Sequence, residues 1–92
     1  MDLDTIAKRL IWLREISELS GSELSRLAQI SRAYPSAIEH GRSGERMGME
    51  YALKIARVFG ISTEWFVLGI GSAPSRATIR RAVARARAEQ AA

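Results

Sequence analysis

The stretch Leu19-Ser-Gly-Ser-Glu-Leu-Ser-Arg-Leu-Ala-Gln-Ile-Ser-Arg-Ala-Tyr-Pro-Ser-Ala-Ile-Glu-His-Gly41 decides how the chain is read. Ser20-Gly21-Ser22-Glu23 has the form of a capping box, in which the Ser20 hydroxyl accepts from the Glu23 amide and the Glu23 side chain reaches back. A short helix follows to Ala28, with Leu24, Leu27 and Ala28 directed inward. Gln29-Ile30 makes a tight connection, Ser31 is a second N-cap, and the next helix runs to about His40. Gly41 then supplies a left-handed stop. Two short helices joined by about three residues suit a helix-turn-helix, in which one helix braces on the DNA backbone and the next enters the major groove.

Outward from this stretch the pattern stays helical. Thr5 or Asp4 caps a first helix that places Ile6, Leu10 and Leu13 at helical spacing beside Arg14. Residues 42–48 form a polar loop. A helix from Met49 to Phe59 has Met49, Ala52, Leu53, Ala56 and Phe59 on one face, and Gly60 with Ile61 predicts a Schellman stop. Ser62 caps a short helix from Thr63 to Leu68, with Trp65, Phe66 and Leu68 available to the core. Pro74 suits the first turn of a last helix reaching about Gln90. Its apolar stripe is thin, Ile79, Ala82, Val83 and Ala86, and alone such a helix is marginal in water. Strand alternation and Asn-Gly or Asp-Gly hairpin turns are lacking.

Composition sets the bounds. With 92 residues the chain has room for one domain, and 47% hydrophobic with 26% charged residues is too apolar for a disordered chain. The absence of cysteine excludes disulfides, thiolate zinc sites and cysteine nucleophiles, and the single His40 excludes a multi-histidine metal site. Paired acid–base residues, a phosphate-cradling glycine loop and a nucleophile beside a base are not evident, so binding rather than catalysis is expected, with no cofactor. The longest apolar runs, Leu10–Leu13 and Trp65–Leu68, are too short for a membrane span. The opening with Asp2 and Asp4 lacks a signal-peptide pattern, and a reduced cytoplasmic setting is expected.

Charge is unevenly placed. In residues 1–71 nine Lys and Arg balance nine Asp and Glu. Residues 72–92 carry Arg76, Arg80, Arg81, Arg85 and Arg87 against Glu89, so the whole net charge of +4 lies in this extension. A basic tail fits phosphate neutralisation, dimerisation through its stripe, or a solvated face.

The region from about Ile6 to Gly71 resembles the lambda-repressor-like family of XRE, or Cro/CI-type, helix-turn-helix regulators. The resemblance rests on Ile6, Leu10, Leu13 and Arg14, on Leu19-Ser20, Glu23-Leu24, Ile30-Ser31 and Ile38-Glu39 before Gly41, and on Leu53 to Ser62. Thr63-Glu64-Trp65-Phe66-Val67-Leu68-Gly69 is similar to the ending of phage-type members. It implies an all-α fold and a five-helix DNA-binding domain over residues 1–71 with its helix-turn-helix at about 20–41; the basic C-terminal helical extension over 72–92, read from its own residues, lies beyond the resemblance. The resemblance also implies a homodimer on palindromic double-stranded DNA.

By the same resemblance, Arg32, Ala33, Tyr34, Ser36 and Ala37 lie next to the bases. Arg32 is the best reader, its fork matching guanine O6 and N7. Gly21 and Ser22, with Arg42, Ser43 and Arg46 of the following loop, would hold the DNA backbone. Arg14 and Glu39 correspond to an internal ion pair. Three residues depart from the family pattern: Pro35 removes an amide inside the recognition helix, Gln29 replaces a turn glycine, and Ser25 replaces alanine. Trp12 and Ile16 widen the apolar face of the first helix and call for a cover, for which Ile79 and Val83 of the last helix are candidates, in the same chain or a partner. A protein-binding module on the same scaffold, such as an antitoxin or phage adaptor that meets its partner through the last helix, is the alternative.

Overall fold

The computed structural model describes residues 3–31 and 48–91, and every regular element among them is an α-helix. Helix α1 spans Ile6–Ser17, and the Thr5 hydroxyl accepts from the Lys8 amide at 3.1 Å. Helix α2 spans Gly21–Ala28, with Ser20 accepting from the Glu23 amide at 3.0 Å. Helix α3 spans Met49–Phe59, α4 Thr63–Leu68 and α5 Arg76–Ala91. Each serine or threonine cap satisfies one of the amides that the first helical turn leaves without an internal acceptor.

Three helices stop in the same way. After α1 the amide of Leu19 returns to the Arg14 carbonyl at 3.0 Å, after α2 that of Ile30 to Ser25 at 3.0 Å, and after α3 that of Ile61 to Ala56 at 3.1 Å. These are Schellman turns, and each needs a left-handed residue. Only the third uses glycine; Glu18 (φ 54°) and Gln29 (φ 59°) take the conformation without it. Gly60 is required on a second ground, because a Cβ there would lie 2.7 Å from the Ala82 Cβ of α5.

The helices share one core. Helix α5 packs on α1, α2 and α3, while α4 packs on α1 and α3. Leu10, Leu13, Leu24, Ile55, Phe59, Phe66 and Ile79 are completely buried, and Val83 nearly so. Trp12 meets Trp65 with ring centroids 5.9 Å apart and planes tilted by 60°, a favourable edge-on arrangement. Burial of side chains of this size stabilises by roughly 1.5–3 kcal/mol each, so Ile79 and Val83 make the basic C-terminal helix part of the domain's own core.

Several expectations are corrected. Met49 and Leu53 are exposed, and Ile55 and Val58 take the inward positions beside Ala52, Ala56 and Phe59. Leu68 points to solvent at the last position of α4, beyond the buried pair Trp65 and Phe66. Pro74 lies outside α5: the cap is Ser75, whose hydroxyl accepts from the Thr78 amide at 3.1 Å, so the helix starts at Arg76.

Candidate nucleic-acid interface

The part of the expected interface that falls within the described residues is α2 and the turn after it. Ser20, Gly21 and Ser22 form its start, with Ser22 exposed and Gly21 half-buried. Ser25 is buried, and its hydroxyl donates to the Gly21 carbonyl at 2.9 Å, which accounts for a serine where the family pattern has alanine. Gln29 adopts the left-handed conformation expected of a residue standing in for glycine. The backbone then leaves α2 through Ile30 and Ser31 toward Arg32.

The base-proximal set Arg32, Ala33, Tyr34, Ser36 and Ala37 lies outside the described residues. So do Pro35, Glu39, His40 and the loop residues Arg42, Ser43 and Arg46. The Arg14–Glu39 pair is therefore represented by Arg14 alone. Its Nε donates to the Leu19 carbonyl at 2.9 Å, and its Nη1 lies 3.7 Å from where a Gly21 Cβ would stand. Arg14 thus ties the end of α1 to the start of α2.

Two arginine contacts were not legible in the sequence. The first crosses 64 residues: Arg87 of α5 donates from Nε to Glu23 Oε2 at 2.8 Å and from Nη2 to Oε1 at 2.9 Å. The capping box is therefore only half formed. Ser20 caps the helix as expected, but the Glu23 carboxylate is taken by Arg87 instead of reaching back. The bidentate hydrogen bonds from Arg87, aided by the charges of Arg87 and Arg26, hold the Glu23 carboxyl below its ordinary range. Arg26 Nη2 stands 4.0 Å from the same carboxylate.

The second is Arg9, 4% exposed. Its Nε donates to the Phe66 carbonyl at 2.8 Å, Nη1 to Leu3 at 2.7 Å and Nη2 to Val67 at 2.9 Å. A cation at the C-terminal end of α4 meets carbonyls that have no helical donor and the negative end of the helix dipole. Burial lowers the Arg9 pKa from its ordinary value, with Asp4 acting in the opposite sense. The available signal was position: Arg9 lies three residues from Ile6 and four from Leu13, on the inner face of α1.

Trp12, Ile16, Ile79 and Val83 come together in one buried cluster, and Arg80 Nε donates to the Ile16 carbonyl at 3.4 Å. Among the described residues, Arg76, Arg81 and Arg85 of α5 are exposed and make no ion pair. A cavity of about 570 Å³ opens between α2, α3 and α5, with Lys54, Arg57 and Arg85 in its lining and Glu89 as the one carboxylate among its described lining residues. Groups of His, Cys, Asp or Glu that could hold a metal ion do not occur among the described residues, and no helix there is long and apolar enough to cross a membrane.

Comparison with protein-family models, with curated proteins and with solved structures returned no match.

Proposed function

We propose that the chain is a sequence-specific DNA-binding regulator of the lambda-repressor-like, XRE kind, acting in the cytoplasm as a homodimer on a palindromic operator. The observation that carries this reading is the unit from Ser20 to Ser31. It is an eight-residue helix with a serine cap, closed by a left-handed Gln29 and by the Ile30 amide returning to Ser25. These features support the reading, because a helix-turn-helix joins a short first helix to its recognition helix through a tight turn. The residues that follow it are Arg32, Ala33, Tyr34, Ser36 and Ala37, which fit base reading at the start of a recognition helix.

On this reading Arg32 pairs with guanine, Tyr34 and Ser36 bond base edges or phosphates, and Ala33 and Ala37 offer methyl contacts to thymine. The amides of Gly21 and Ser22, with Arg42, Ser43 and Arg46, hold the backbone. Two copies would set their recognition helices about 34 Å apart, one turn of DNA. The test is a gel shift of the full chain against genomic fragments, including the region upstream of its own reading frame. Selective retention of one or a few fragments supports the reading; no retention at low salt overturns it.

The alternative, a protein-binding module, draws support from Leu68 and Ile70, which are 64% and 57% exposed at and just beyond the end of α4. The apolar stripe of α5 supports it less, because Ile79 and Val83 are already buried within the chain.

A further inference from the structure

The first turn of α2 carries a carboxylate, Glu23, beside the amides that the DNA-binding reading assigns to a backbone phosphate. Glu23 directly follows Gly21 and Ser22, and its side chain remains partly solvent-accessible. It is flanked by two arginines from two helices, Arg26 one turn along α2 and Arg87 from α5, while Arg14 of α1 stands beside Gly21. Only Arg87 engages both carboxylate oxygens, at 2.8 and 2.9 Å. Its guanidinium reaches this point because Ile79 and Val83 anchor α5 in the core, two and one helical turns before it.

We propose that Arg87 is an electrostatic positioning residue of the DNA-binding surface: it cancels the Glu23 charge beside the first-turn amides of α2, so that a backbone phosphate can approach Gly21 and Ser22. The proposal rests on the DNA-binding reading above. The basic C-terminal helix then serves DNA binding at this residue through Glu23. Removing Arg87 leaves the Glu23 carboxylate with only the longer 4.0 Å contact to Arg26, close to the amides of Gly21 and Ser22. Near the protein surface, like-charge repulsion weakens binding by about fivefold per contact at low salt.

The arrangement predicts a pattern that a purely structural brace would not give. The probe is a fluorescein-labelled mixed-sequence duplex of about 30 base pairs, titrated at low salt and followed by anisotropy, where backbone contacts dominate. Arg87→Ala should bind about fivefold more weakly than the wild-type chain. Glu23→Gln should bind at least as tightly as wild type, and the double variant Glu23→Gln/Arg87→Ala should recover wild-type affinity or better. Arg87→Lys, which keeps the charge without the fork, should retain most of the binding. Thermal melting of each variant confirms that folded protein is compared. A brace predicts that both single variants and the double variant weaken together, and that result overturns the proposal. Unchanged affinity in Arg87→Ala overturns it too. Failure of the wild-type chain to bind the duplex overturns the DNA-binding reading itself, and the role of Arg87 with it.

Discussion

The Arg9 Nε donates to the carbonyl of Phe66 at 2.8 Å, joining the first helix to the end of the fourth across 57 residues. With the bonds to Leu3 and Val67, one guanidinium serves three carbonyls from two segments. Arg9→Ala leaves these acceptors without a donor and removes packing, so the domain should lose about 2–4 kcal/mol in urea denaturation. Arg9→Lys keeps the charge but not the fork and should fall between the two. A loss below about 0.5 kcal/mol in Arg9→Ala would show that water replaces the guanidinium without penalty.

Gly60 answers two demands at once, a left-handed φ of 64° and the close approach of Ala82. Gly60→Ala should cost at least about 2 kcal/mol, the sum of backbone strain and overpacking. Adding Ala82→Gly removes the clash but not the strain, and should restore part of the lost stability. Full restoration would mean that the left-handed conformation carries no cost there.

Helix limits were more legible than contacts. Met49–Phe59 and Thr63–Leu68 follow from Gly60, Ser62 and Gly69, because caps and stops act on the backbone beside them. The inward face of α3 was misread at Met49 and Leu53, since Ala52, Ala56 and Phe59 belong equally to a stripe that continues through Ile55. Arg9 and Arg87 escaped notice for a different reason. A charged residue reads as a surface residue, and carbonyl partners have no sequence signature. The Glu23–Arg87 pair spans 64 residues, beyond any local pattern. Of the expected DNA-facing set, Gly21 and Ser22 lie within the described residues, and the rest fall in the segment 32–47.

Deletion of residues 74–92 should expose Trp12 and Ile16 and remove Ile79 and Val83 from the core. At roughly 1.5–3 kcal/mol for each buried side chain, the truncated protein should melt at a markedly lower temperature, with Trp12 open to quenching by acrylamide. A truncated chain with unchanged Tm and quenching would contradict the packing of α5 on α1.

Acid should erase the contribution of the Glu23–Arg87 pair. Because the folded-state pKa of Glu23 is lowered, its stabilising contribution is fully present above the unfolded carboxylate value. It is lost as pH falls through the folded value. The Tm difference between wild type and Glu23→Gln should therefore be present at neutral pH and close at acid pH below the ordinary carboxylate range. A difference that persists there would assign the effect of the substitution to packing rather than charge.

Within the proposed DNA reading, Arg32→Ala should cost about 1–3 kcal/mol on the preferred site and relax base preference at one position per half-site. Arg42→Ala and Arg46→Ala should weaken all sequences alike and reduce the salt slope by about one each. An Arg32→Ala protein with its ranking of sites intact would exclude that residue from base reading.

The burial of Ile79 and Val83 beside the first helix also bears on synthesis. Synthesis makes α1 before α5, yet Leu10, Leu13, Trp12 and Ile16 close into the same cluster as Ile79 and Val83. The nascent helices therefore have no complete core to join until the segment around Val83 has cleared the exit tunnel. Their apolar faces remain open to chaperones throughout that interval. Acquisition of the folded state therefore waits for α5, and messages truncated before it would release chains for the proteolytic machinery.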